Sequence, residues 1–249
     1  VAILNIDNRW FATLASAARG FGLRVISFGR AEGADARVTG FTASPAGALV
    51  AARIDGRDLK YPIRQSGVHW GPMSLCALLM MGALEVDLES GLAALAEFTP
   101  LPGRGSERRL AVKNGAALLI DESYNASPVS MAAALAGLGA RGVVGRRIVA
   151  LTDMLELGPE AAERHVELAG PIAAANIDMV FCAGPLMHSL WKALPAARRG
   201  AWAEDAEGLA PPLVAAVEPD DIVMVKGSHA SGAHRLAERL GDALTGVVG

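Results

Sequence analysis

Residues 121–131, Asp121-Glu122-Ser123-Tyr124-Asn125-Ala126-Ser127-Pro128-Val129-Ser130-Met131, gather carboxylates, a phenol and a carboxamide beside the unpaired N–H groups of a helix start. The segment leaves an apolar strand, and in open α/β sheets ligands bind at the carboxyl ends of strands. The residues leave two readings open: a ligand site, or a helix cap in which Ser127 or Asn125 accepts from the first turn and Tyr124 packs. Two other segments take the same placement. Thr152-Asp153-Met154-Leu155-Glu156-Leu157-Gly158 follows the apolar run 147–151, and there Asp153 and Glu156 either bind a ligand or solvate a helix start. Val225-Lys226-Gly227-Ser228 ends another apolar strand with a lysine, a candidate anion contact. Three polar tips along one sheet edge point to one cleft.

Other motifs carry less. Gly137-Leu138-Gly139-Ala140-Arg141-Gly142 matches the dinucleotide fingerprint letter for letter, but it follows a helix and precedes a strand. The fingerprint needs the reverse order, so that helix N–H groups face the pyrophosphate. It reads as a helix end and loop. No G-x-x-x-x-G-K-[ST] phosphate loop occurs in the chain. His229 and His234 are too far apart in sequence to share a helical face at i, i+4, no Cys/His group has metal spacing, and no nucleophile elbow is present.

The elements that must position these residues follow from periodicity. Strands are expected at 1–6, 23–28, 37–42, 48–54 and 59–63, with Asp55-Gly56 as a hairpin turn. Helices are expected at 10–18, 72–83 and 88–98; the second is apolar nearly all round and predicts a buried helix. Thr99-Pro100-Leu101-Pro102-Gly103-Arg104-Gly105 cannot continue a helix or a central strand, which sets domains at 1–100 and 101–249. Beyond it, strands at 117–121, 147–151, 179–183 and 222–226 alternate with helices at 128–138, 159–175, 186–193, 206–217 and 231–244. That alternation predicts an α/β fold with a mostly parallel, Rossmann-like sheet and helices on both faces.

Composition bounds the function classes. Apolar residues make up 52% and charged residues 20% of 249, which is enough for a sizeable core and argues against disorder. A net charge of −3 gives no basic face for nucleic acid. No apolar run reaches the ~18 residues of a membrane span, and no signal peptide is present, so a cytoplasmic location is expected. Cys76 and Cys182 lie in apolar runs and read as reduced core residues. The chain opens on Val1-Ala2-Ile3-Leu4-Asn5-Ile6-Asp7, a strand-like run without Met, and is expected to be a fragment of a longer protein.

Together these pieces resemble the Mur ligases of peptidoglycan synthesis. The landmarks, in family order, are Asn5-Ile6-Asp7-Asn8, Gly67-Val68-His69, Pro102-Gly103-Arg104, the stretch 121–131, Asp153-Met154-Leu155-Glu156-Leu157-Gly158 and Lys226-Gly227-Ser228. The two longest are most similar to members that join D-alanyl-D-alanine to UDP-N-acetylmuramoyl-tripeptide, using ATP and Mg²⁺ and an acyl phosphate. The resemblance implies that 1–100 is the later part of the central ATPase domain and 101–249 the C-terminal Rossmann-like domain. It also implies that a chain lacking the phosphate loop is inactive alone and monomeric. By the same likeness, Arg104 and Asn125 take catalytic roles, and His69, Arg104 and Asp121 bind nucleotide. Tyr124, Asn125 and Lys226 would bind substrate, with Lys226 on the dipeptide carboxylate. Rival expectations are a folylpolyglutamate synthase-like or other Mur amino-acid ligase, or a non-catalytic ligand-binding module of the same fold. One departure concerns the family's His-Asn-x-x-Asn, which here is His69-Trp70-Gly71-Pro72-Met73. Both amides that would read adenine are gone, and Trp70 is expected to pack the helix start rather than stack on a base.

Overall fold

The computed structural model describes residues 1–44, 47–65, 67–99 and 101–244. The chain divides into two compact units, Val1–Pro100 and Leu101–Gly249. Pro100, inside the expected boundary segment, lies outside the described residues.

In the first unit, β1 (Ala2–Asn5), β2 (Val25–Gly29), β3 (Ala36–Ser44), β4 (Gly47–Ile54) and β5 (Arg57–Ile63) form one sheet in that order. The first three pair in parallel and the last three antiparallel. Asp55 and Gly56 join β4 to β5 at φ 48° and 77°, the left-handed pair that a two-residue hairpin needs. α1 (Phe11–Gly20) follows β1, while α2 (Trp70–Ala83) and α3 (Leu88–Glu97) follow the meander. Leu75 and Leu78 of α2 pack on Phe28, Val50, Tyr61 and Ile63, and Trp70 joins their margin. The expectation that α2 is buried all round is corrected. Met73 and Met80 are 50% and 55% exposed, because the sheet and α3 cover only the face carrying Gly71, Ser74, Leu75 and Leu78.

In the second unit, six strands run in the order β10-β9-β8-β11-β7-β6. β7 (Gly115–Glu122), β8 (Arg147–Thr152), β9 (Met179–Ala183), β10 (Arg199–Ala203) and β11 (Ile222–Lys226) are parallel, and β6 (Ser106–Val112) pairs antiparallel at one edge. The four expected strands are all present. β6 and β10 escape the periodicity, since charges in the first and glycine in the second mask their alternation. α4 (Pro128–Gly139), α5 (Ala161–Val166), α6 (Ala169–Ala174) and α7 (Met187–Ala193) connect the strands on one face. α8 (Ala206–Ala216) and α9 (Ala233–Ala243) cover the other. The fold is α/β, with a mostly parallel sheet between two helical layers. The single helix expected at 159–175 is two, parted at Glu167-Leu168: Pro171, in the first turn of the second, has no N–H to return to the Glu167 carbonyl.

α4 begins where its sequence says it should. Pro128 takes the first helical turn, where its missing N–H costs nothing, and Ser127 and Ser130 exchange hydrogen bonds in a capping box. Residues 137–139 close α4 and 140–142 leave it as a loop, the reading expected for the glycine-rich match. Cys182 is buried and Cys76 half-buried, both as free thiols. Among the described residues, no helix is long and apolar enough to cross a membrane.

Candidate functional site

β7 and β11 lie side by side, with Asp121 opposite Val225 and Glu122 opposite Lys226. The helix after β7 belongs to one layer and the helix after β11 to the other, so the chain parts at these strand ends and leaves a crevice. Strand alternation then separates two neighbouring carboxylates. Glu122 shares a face with Ile120, in the core under α4, while Asp121 points to the α9 side.

On the α9 side an open cleft of about 470 Å³ is lined by Gly103, Arg104, Asp121, Tyr124, His229 and His234, among others. The turn that brings Arg104 here depends on Gly103. Its φ is +73°, and a Cβ there would stand 2.9 Å from the Tyr124 backbone nitrogen. Asp121 fixes this turn, because its carboxylate accepts from the Gly103 N–H (3.1 Å) and from the Ser123 N–H (3.1 Å) and hydroxyl. Tyr124 N–H donates back to the Gly103 carbonyl at 3.0 Å. The Arg104 guanidinium lies over the Tyr124 ring, 4.2 Å from its centroid. His229 meets Tyr124 edge-on at 5.8 Å, and His234 stacks on His229 at 4.0 Å with the rings 2° from parallel. A cation, a carboxylate and a wall of flat rings around an open cleft fit an anionic ligand that also carries a planar group.

On the α4 side the chemistry is closed. Lys226 is 3% exposed; its ammonium donates to the Asn125 backbone carbonyl at 3.0 Å and pairs with Glu122 at 3.6 Å. Burial pushes the Glu122 carboxyl up, opposed mainly by the Lys226 charge. Burial pushes the Lys226 ammonium down, opposed by Glu122. The side chain of Asn125 is exposed, and its Oδ1 accepts from the Ala126 N–H at 2.8 Å.

The sequence-predicted residues therefore part company. Arg104, Asp121 and Tyr124 share the cleft; Lys226 reaches Asn125 from beneath the loop and presents no open ammonium. Ser127 caps α4, as the helix-cap reading of residues 121–131 has it, while Tyr124 is not packed away but stays 47% exposed. His69 belongs to the first unit, half-buried just before α2, with its ring 5.7 Å from that of Trp70. Asp153 does not solvate its own loop. Its carboxylate accepts from Leu186 and Met187 N–H groups at 3.3 and 2.8 Å, fastening the start of α7, and a Cβ on Gly184 would collide with it. Behind that loop the fully buried His165 accepts from the Met154 N–H at 2.9 Å through Nε2, and the Ser228 hydroxyl accepts from the Leu155 N–H at 3.0 Å.

Sequence reasoning misses His229 and His234. Their spacing excludes one helical face, whereas a 3₁₀ turn at His229–Ser231 and the left-handed Gly232 fold one ring onto the other. It misses Glu122 as a separate actor as well. The signal that could have found it is an acid one residue beyond Asp121, hence on the opposite face of the same strand.

Residues 108–229 match the family described as Mur ligase, glutamate ligase domain. The UDP-N-acetylmuramoyl-tripeptide–D-alanyl-D-alanine ligase of Escherichia coli K12 is 34% identical over 124 residues, 50% of this chain and 26% of that one. The UDP-N-acetylmuramate–L-alanine ligase of Salinispora arenicola is 29% identical across 96% of this chain and 47% of its own length. Among solved structures, the MurF ligase of Thermotoga maritima in complex with ADP superposes with a TM-score of 0.78 at 21% identity, covering 98% of this chain and 54% of that one. Residues 108–229, within the second unit, thus carry a Mur ligase C-terminal domain. The chain spans about half or less of the length of these relatives.

Proposed function

We propose that this chain is part of an ATP-dependent amide ligase that adds D-alanyl-D-alanine to UDP-N-acetylmuramoyl-tripeptide in the cytoplasm. The observation that carries the reading is the convergence of Arg104, Asp121 and Tyr124 on one cleft at the carboxyl edge of the sheet. In the proposed reaction, the peptide carboxylate takes the γ-phosphoryl group of ATP and releases ADP. The dipeptide amine then attacks the acyl phosphate, expelling phosphate and losing a proton. Arg104 is suited to the phosphate charge, Asp121 to the ribose hydroxyls through its remaining lone pairs, and Tyr124 and Asn125 to the approaching dipeptide. Among the described residues no group of three His, Cys, Asp or Glu side chains converges on a metal position, so no residue here is assigned to Mg²⁺.

The choice of D-alanyl-D-alanine rests on the 121–131 and 153–158 motifs and on the relative from E. coli. The match to the Salinispora ligase across 96% of the chain favours a second reading, with L-alanine as the amine. The activity needs a phosphate loop, which this sequence does not contain. Two assays test the proposal. The 249-residue chain alone should form no amide from ATP, UDP-N-acetylmuramoyl-tripeptide and D-alanyl-D-alanine, and turnover by it would refute the dependence on a missing loop. A natural polypeptide that includes this chain and a phosphate loop should turn over D-alanyl-D-alanine. Preference for L-alanine with UDP-N-acetylmuramate, or for glutamate with a folate, would replace that substrate assignment.

A further inference from the structure

The strand register sets Lys226 directly across from Glu122, at the last residue of each strand and on the face under α4. The ammonium reaches past Glu122 to the main-chain carbonyl of Asn125, in the middle of the loop that carries Tyr124 and caps α4 through Ser127. Glu122 in turn sits beneath the turn holding Arg104, because its other oxygen would be 3.3 Å from a Cβ placed on Gly105. One ion pair, a buried ammonium and a carboxylate still 20% exposed, therefore touches the end of β7, the end of β11, the 123–127 loop and the turn at Gly105. The ammonium meets a backbone carbonyl and a carboxylate and is 3% exposed, so a substrate carboxylate could reach it only if the covering loop moved. We propose that Lys226 and Glu122 are positioning residues, a buried clamp that holds the 123–127 loop in register for the ligand cleft without contacting ligand.

Isolated burial of the two charges would be unfavourable; their mutual attraction and the bond to Asn125 offset it. A pair kept only for stability can be replaced by two neutral groups with little change anywhere, whereas replacing a clamp restores stability but not the order of the loop it holds. That difference supplies the test, on the 249-residue chain as it stands. Lys226→Met alone should melt far lower, because it leaves the mostly covered Glu122 without its partner. Glu122→Gln with Lys226→Met removes both charges and should recover most of the melting temperature. In that double variant the Ala126 and Ser127 amides should still exchange hydrogen at least about tenfold faster than in the parent, since the charge-assisted bond to Asn125 is gone. Exchange as slow as in the parent would overturn the clamp.

A second readout rests on the proposed function. In a complete, active ligase, the double variant should lose about tenfold or more in kcat while the KM for ATP holds. Recovery of kcat along with the melting temperature would overturn the clamp. If the parent ligase turns over no D-alanyl-D-alanine, the functional assignment fails, and the exchange experiment still judges the clamp.

Discussion

Asp121 and Glu122 are neighbours on one strand and live in opposite worlds. Asp121 faces an open cleft, and its oxygens are met by N–H and hydroxyl donors of the turns beside it. Glu122 faces the core under α4, and its partner is a buried ammonium. On the cleft side, order comes from local hydrogen bonds and one obligatory glycine, so charge is left free to meet a ligand. On the core side, order comes from charge itself, and each charge depends on the other. The pleat of a β-strand is enough to assign these separate duties to adjacent residues.

The contrast breaks most visibly at Lys226. Lys226→Met should cost about 3–5 kcal/mol, the usual penalty for stranding a buried charge, measured by denaturant unfolding near neutral pH. A loss under about 1 kcal/mol would mean the core side does not depend on the pair. On the cleft side, Gly103→Ala should cost about 2 kcal/mol, from left-handed strain and the close approach to Tyr124. Unlike the Lys226 variant, it should show a cost that is nearly independent of pH.

Acidity sharpens the contrast further. Glu122 titrates above the ordinary carboxylate range, so just above that range the folded state holds a proton that the unfolded chain has lost, and stability falls as pH rises through the window. Lys226 titrates below the ordinary lysine range. There the unfolded chain holds a proton that the folded state has lost, so stability rises as pH climbs toward that range. Relative to the neutral Glu122→Gln, Lys226→Met protein, the parent should therefore lose stability on leaving acid and regain it toward alkaline pH. A flat difference across the titration would contradict the assignment. The smallest expected effect on folding is Arg104→Ala. An exposed cation–π contact contributes only about 0.5–1 kcal/mol, so the chain should melt almost normally. The same change in a complete ligase should weaken ADP binding by about tenfold or more, measured by calorimetry.

Much of this arrangement could be read from the letters. Pro128 behind Ser127 announces α4, and Asp55-Gly56 announces the β4–β5 hairpin, because each is a local steric rule with one cheap solution. The strand-end residues Asp121, Thr152 and Lys226 were legible as a common edge, since apolar runs alternating with helices leave few other topologies. What stayed hidden depends on distant parts meeting. Lys226 looks like a free cation until the neighbouring strand supplies Glu122 and the next loop supplies Asn125. The His229–His234 stack requires a left-handed Gly232 between them, which spacing alone does not reveal. α2 is apolar nearly all round by its letters, yet sequence cannot tell which of its faces receives a cover.

The bond from Asp153 to the start of α7 has a consequence for how this protein can drift over generations. Position 184 has room for no side chain while a carboxylate stands at 153, and removing that carboxylate strips two helix-start N–H groups of their acceptor. Neither residue can be exchanged first without harm. Shortening residue 153 would clear the space but leave the φ of +108° that only glycine takes cheaply, so in a deep mutational library position 184 should stay glycine whatever stands at 153.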